Sequence, residues 1–175
     1  MKSKTFIPFL ITLICAVILV ASFFLPFAAA NGSYRDYLKS YPDYEYAGEI
    51  GMTNSDAVDI SLLEYMRIYI AGLDYSLAIS VICLVLISAI ALFSLLVLLF
   101  AALRKPIPLL IFNCLNFGAF SLLSFDFSDR GVLPSSNYAL GFANYLYYVI
   151  SAALLAGSIW LLIVKVREKR MNTPV

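Results

Sequence analysis

The chain contains no histidine. That absence removes imidazole-dependent catalytic triads, histidine metal sites and the side chain best suited to switching charge near neutral pH. Charge is scarce as well: charged residues are 13% of the 175, the formal net charge is +1, and no basic tract is present that could track a nucleic-acid backbone. No nucleic-acid partner is therefore expected. Cysteine is limited to Cys15, Cys83 and Cys114, all inside apolar stretches and none in a CxxC pair. They read as small buried hydrophobes and not as a disulfide framework or a reactive thiol. The sequence also lacks a G-x-S-x-G elbow, a phosphate loop and a dinucleotide fingerprint. Catalytic, cofactor-binding and metal-binding residues are accordingly expected to be none, and a membrane enzyme is the least favoured function.

What is abundant is apolar surface. Hydrophobic residues make up 62% of the chain and the mean hydropathy is +0.90, leaving too little polar surface to face water. Four stretches, roughly 6–27, 73–103, 107–125 and 138–164, reach the length of about 20 helical residues that a hydrocarbon core requires. Their central parts carry no Asp, Glu, Lys or Arg, each of which costs a few kcal/mol at mid-bilayer. The expected fold is all-α: a single integral membrane domain, an up-down bundle of four transmembrane helices. An extracytoplasmic loop over 31–72 holds a short amphipathic helix, and a basic cytoplasmic tail covers 165–175.

Orientation follows from the basic residues, because Lys and Arg in short loops stay in the cytoplasm. With the N-terminus inside, Lys2, Lys4, Arg104, Lys105, Lys165, Arg167, Lys169 and Arg170 are cytoplasmic, and every acidic residue except Glu168 lies outside. The expectation is a multi-pass protein of the plasma (cytoplasmic) membrane with both termini in the cytoplasm. Lys2, Lys4, the first apolar run and Ala28-Ala29-Ala30 also fit a cleavable signal peptide ending before Asn31. The run exceeds the usual 7–15 residues of a signal core and matches a full crossing, so a retained anchor is expected.

In the 31–72 segment, Ser33 to Asp36 has the form of a capping box, and Tyr34, Tyr37 and Tyr41 recur at helical spacing until Pro42. Residues 47–59 show no sustained period and are expected to be loop. Ser61 and Glu64 make a second capping box ahead of Leu62, Met66, Tyr69, Leu73 and Leu77, an amphipathic helix leading into the second span.

Polar residues within the spans fall in lines. On the third span Asn113, Asn116 and Ser124 share a direction, and on the fourth Asn137, Asn144, Ser151 and Ser158 repeat every seven residues. Such lines let helices approach and hydrogen-bond. Asn113, Asn116, Ser124, Asn144, Ser151 and Ser158 are the candidate intramembrane seam. Without a mid-membrane ionisable group, ion-coupled transport is disfavoured, and a neutral pore or small-ligand pocket is the alternative use of the seam. The twelve tyrosines all sit toward one side. Tyr65, Tyr69, Tyr75, Tyr145 and Tyr148 are the candidate outer aromatic contact surface, beyond what an interfacial belt requires.

Four spans with a long first outer loop resemble claudin and tetraspanin proteins in outline. That loop has no cysteine, so the disulfides those families use cannot form, and no family is assigned. The leading expectation is a non-catalytic membrane protein that acts by association, as an accessory, assembly or sensing subunit. Its partners would be the lipid bilayer and either another membrane protein or itself; a small oligomeric channel or carrier is the alternative.

Overall fold

A computed structural model describes residues 5–171; Lys2 and Lys4 and the end of the basic tail lie outside them. Helix α1 (Phe6–Ala21) ends in a 3-10 turn at Ser22–Phe24. Leu25 before Pro26 is extended, with φ −88° and ψ 158°, as the proline ring demands of its predecessor. Strand β1 (Pro26–Ala30) follows, then α2 (Gly32–Ser40), β2 (Glu45–Ala47), β3 (Met52–Thr53), α3 (Asn54–Ala57), β4 (Asp59–Ser61) and α4 (Leu62–Ala71). The chain continues through α5 (Leu77–Ala102), α6 (Pro106–Asp129), β5 (Tyr138–Leu140) and α7 (Phe142–Met171).

The protein is mostly helical, and four helices are long and apolar enough to cross a membrane: Phe6–Phe24, Leu77–Ala102, Pro106–Asp129 and Phe142–Lys169. Only 28–33% of each spanning window is buried. Outward-facing positions carry Ile7, Ile14, Val85, Leu92, Leu99, Ile111, Leu122, Val149 and Ile163, while Thr12, Ser80, Ser94, Asn113, Asn116 and Ser158 are buried. Apolar outside and polar within is the arrangement that hydrocarbon favours.

The expected all-α fold is corrected at the end of the bundle where α1 stops and α7 starts. Strands β4, β1 and β5 form an antiparallel three-stranded sheet in that order. Ala28 pairs with both Ile60 and Leu140, and Ala29 with both Asp59 and Ala139. Residues 26–27 and 138–140, expected to be span ends, are strands instead, and the fourth helix begins at Phe142. Gly141 is required there: a Cβ would lie 2.2 Å from the carbonyl oxygen of Pro26, where its N–H donates to Phe27 O at 2.8 Å.

Residues 47–59 are likewise not plain loop. Strands β2 and β3 form a hairpin that turns through Gly51 in the left-handed region, φ 62°. Helix α3 starts on a capping box between Thr53 and Asp56. The box at Ser61 and Glu64 forms as the spacing predicts, with the Ser61 N–H donating to Glu64 Oε2 at 2.6 Å. The one at Ser33 does not: α2 starts at Gly32, with Asn31 in the N-cap position and no side-chain cap. Phe27, Leu38, Met52, Ala57, Ile60, Leu62 and Tyr65 are buried under this cap and join the core of the bundle.

At the opposite end, α5 and α6 are joined by the short turn 103–105. Arg104 takes a left-handed conformation, φ 55°. The N–H of Arg104 bonds Ala101 O at 3.0 Å and that of Lys105 bonds Phe100 O at 3.0 Å, a Schellman closure usually assigned to glycine. The Arg104 guanidinium stands 4.1 Å from the Phe9 ring centroid, and its carbonyl accepts from Lys165 Nζ. The turn thereby ties α1 and α7 together.

Candidate functional site

Three places hold the polar and aromatic side chains singled out in the sequence: the middle of the bundle, the joint between bundle and cap, and the outside of the cap.

In the middle of the bundle, α6 presents Asn116 between α5 and α7. Its Nδ2 donates to Ser94 Oγ at 2.9 Å, and its Oδ1 accepts from the Tyr147 hydroxyl. Tyr147 is held by a parallel stack on Phe120, centroids 3.8 Å apart. One turn away, Asn113 Nδ2 donates to the backbone carbonyl of Ser151 at 3.0 Å. The amide group of Asn144, although on the same heptad line, donates to Phe27 O in β1. The Ser158 hydroxyl donates a hydrogen bond to Leu154 O within its own helix, as helical serines commonly do. Asn137 lies ahead of α7, exposed.

The lines read from the sequence are therefore separate contacts and not one continuous path. Asn113, Asn116, Asn144, Ser151 and Ser158 are all buried, and Ser124 is partly buried with an enclosed Oγ. Among the described residues, three buried side-chain polar atoms have no hydrogen-bond partner: Asn113 Oδ1, Ser124 Oγ and Ser151 Oγ. Asn113 and Ser151 also line a cleft of about 310 Å³ between α6 and α7.

At the joint, Arg130 closes α6 onto α4 and α5. Its Nε reaches both Asp126 oxygens at 3.1 Å, and its Nη2 reaches the Tyr69 hydroxyl at 3.3 Å and Cys83 Sγ at 3.0 Å. Burial works against the guanidinium charge, but the bonds to Asp126 and Tyr69 more than offset it and raise its pKa. Burial also pushes the Tyr69 hydroxyl up to about 12, against the lowering effect of Arg130. The Asp126 carboxylate neutralises the cation beside Cys83, so the arrangement ties elements together and does not single out a thiolate nucleophile. Sequence reading missed this joint, because the i,i+4 spacing of Asp126 and Arg130 is a common helix-surface pair. Only the fold brings Tyr69 and Cys83 to it.

The five tyrosines proposed as an outer surface divide. Tyr65 is 6% exposed, with its ring 5.9 Å from Phe27 and 5.0 Å from Phe127, and burial pushes its pKa upward. It is part of the core. Tyr69 belongs to the Arg130 joint. Tyr75 is 78% exposed, and its hydroxyl donates to Glu49 Oε1 at 2.6 Å, a bond that raises its pKa. Tyr145 and Tyr148 are exposed on α7, the latter edge-on to Phe117 and Phe120.

A further aromatic row runs along α2. Tyr34 packs on Tyr138 at 5.6 Å, Tyr37 on Tyr34 at 6.4 Å, Tyr41 on Tyr37 at 5.5 Å and Tyr44 on Tyr41 at 5.1 Å. Tyr37, Tyr41 and Tyr44 are exposed. The spacing of the first three was visible in the sequence as helical periodicity; the addition of Tyr44 depends on the turn that follows α2.

Among the described residues no group of three or more metal-ligating side chains comes together. No known family model matches the chain, and neither a curated protein nor a solved structure matches it.

Proposed function

We propose that this is a four-span, non-catalytic protein of the cytoplasmic membrane that acts by association, with the tyrosine row of α2 as its contact face. In this reading the bundle runs up and down, both termini are cytoplasmic, and the β-sheet cap stands outside. The charges support it: Arg104, Lys105, Lys165, Arg167 and Lys169 gather at the end away from the cap, whereas Asp36, Asp43, Glu45, Glu49, Asp56, Asp59 and Glu64 are in the cap. The observation that carries the contact face is the exposure of Tyr37, Tyr41 and Tyr44 in one contiguous row of tilted rings. Tyrosine pairs a large rigid apolar body with a polar tip, which is why it is enriched at interfaces. The partner is another membrane protein or a second copy of this chain.

A photoreactive phenylalanine analogue at Tyr41 in intact cells tests the reading. The expected result is a discrete crosslinked adduct that disappears when Tyr37 and Tyr44 are replaced by serine. No adduct, or the same adducts from the exposed position Arg67, would refute it. The alternative of a channel or carrier has less to rest on, because Asn116 and Asn144 are engaged in closed hydrogen bonds and the Phe120–Tyr147 stack fills the space between helices.

A further inference from the structure

At the end of the bundle away from the cap, the turn between α5 and α6 gathers cations that no carboxylate answers. Arg104, Lys105, Lys165, Arg167 and Lys169 lie at that end, where the only acidic side chain among the described residues is Glu168. Among the described residues no carboxylate forms an ion pair with Arg104, Lys105 or Lys165. The Arg104 guanidinium stands 4.1 Å from the centroid of the Phe9 ring, and Lys165 Nζ donates to the Arg104 carbonyl, so the turn is fixed from both α1 and α7. Arg104 and Lys105 are exposed. Arg104 also holds a left-handed backbone, φ 55°, where an arginine costs energy that a glycine would not. The rule that keeps basic residues on one side of a membrane asks only for charge in a short loop. Lys105 with a glycine before it would satisfy that rule without strain. An arginine held at a strained position and seated on a neighbouring helix points to a use for the side chain itself.

We propose that this turn is a binding site for the phosphodiester headgroup of an anionic phospholipid. The guanidinium offers a planar fork of N–H donors that matches two phosphate oxygens, and the ammonium groups of Lys105 and Lys165 add compact positive charge beside it. The turn joins two helices long enough to span a membrane, which sets it at the depth of the headgroups. Leu103 and Ile107 flank the basic pair and are 52% and 57% exposed, an apolar surface on which the acyl chains of the bound lipid lie. A free phosphate gains nothing from that surface, and a zwitterionic headgroup brings its own cation against the lysines. Each basic residue at an anionic membrane surface is worth about fivefold in binding. The proposal holds for whichever face of the membrane the turn occupies, and it does not depend on the α2 surface or its partner.

Ile107→Trp in a Trp160→Phe background leaves the full-length protein with one tryptophan, beside the site. In vesicles of mixed phosphatidylglycerol and phosphatidylcholine, one or the other lipid brominated near the glycerol end of its chains, quenching of that tryptophan reads the relative binding constant of the two lipids. Phosphatidylglycerol is expected to be preferred by at least about fivefold. Adding Arg104→Gly, which gives the turn the residue its backbone favours and so keeps the fold, should bring the preference close to unity. Lys105→Gln should lower it part of the way, and Arg167→Gln, which removes the same charge from the tail, should leave most of it. Inorganic phosphate at constant ionic strength should not displace the lipid. A preference near unity in the starting protein, or equal losses in the Arg104→Gly and Arg167→Gln variants, would overturn the proposal by showing diffuse charge and no site. Displacement by inorganic phosphate would overturn the lipid as the occupant.

Discussion

The Tyr147 hydroxyl donates to Oδ1 of Asn116 in the middle of the bundle, and the same amide passes on to Ser94 Oγ at 2.9 Å, so one asparagine joins α5, α6 and α7. Both Asn116 and Tyr147 are buried. Interhelical hydrogen bonds in membranes average about 0.6 kcal/mol, with a maximum of about 1.7, and an orphaned buried partner adds its own cost. Asn116→Ala is expected to destabilise the fold by about 1–3 kcal/mol and Tyr147→Phe by about 1. The double variant should cost less than the sum of the two. Unfolding by sodium dodecyl sulfate in mixed micelles measures all three; strict additivity would mean that the bond contributes nothing.

Gly141 is the glycine of the cap that sits most closely against backbone. A Cβ there would stand 2.2 Å from Pro26 O, a backbone atom, whereas a Cβ on Gly157 would meet side-chain methyl groups, Thr12 Cγ2 at 2.8 Å and Ile11 Cγ2 at an ordinary 3.9 Å. A methyl can shift more readily than a paired strand. Gly141→Ala is therefore expected to cost about 1–3 kcal/mol and to speed amide hydrogen exchange across β1 and β5, while Gly157→Ala costs less. The reverse order, measured by the same unfolding assay, would place the strain in the bundle and not in the sheet.

Two ion pairs differ in reach and exposure: Arg35–Asp59 joins α2 to β4, whereas Arg130–Asp126 is an i,i+4 pair at the end of α6. Arg35 and Asp59 meet at 3.0 Å with side chains 35% and 37% exposed, so Arg35→Ala should cost about 0.2–1 kcal/mol, with the effect shrinking in high salt. Arg130 is more enclosed and also holds Tyr69 and Cys83. Arg130→Leu leaves Asp126 beside Cys83 without its cation and is expected to cost more, about 2 kcal/mol. Accelerated alkylation of Cys83 in that variant would report the opened joint.

Ala28, Ala29 and Ala30 resemble a signal-peptidase site in sequence, but they pair on both sides as the middle strand of the sheet. Cleavage after Ala30 would remove β1, the Phe27 ring from the core and the whole of α1. The N-terminal peptide of the purified protein is thus expected to include residues before Ala28. A mature chain starting at Asn31 would contradict it.

The four long helices were legible because a membrane crossing imposes one strong requirement, an uncharged run of about 20 residues, and the sequence meets it four times. The Ser61 and Glu64 cap was legible because its partners are three residues apart. The sheet was not. Strands β4 and β5 are three residues long, too short for an alternating pattern, and β1 is mostly alanine, which signals helix or cleavage site as readily as strand. Their pairing joins residues far apart in the chain, Ala30 with Tyr138 for example. Asn144 was placed in the seam for a related reason: its heptad spacing fits the line, but its partner is the Phe27 carbonyl in that hidden strand. Tyr65 reads as an outer residue from its position in the chain, yet it turns inward because Phe27 and Phe127 converge on it.

Single cysteines at Tyr44 in the cap and at Lys165 near the far end of α7, introduced into a background lacking Cys15, Cys83 and Cys114, probe the arrangement of the whole molecule in intact cells. A membrane-impermeant maleimide should label the Tyr44 position from outside, and the Lys165 position only after the cells are opened. Labelling of both positions from the same side of a sealed membrane would contradict the four-span topology on which the outer contact face depends.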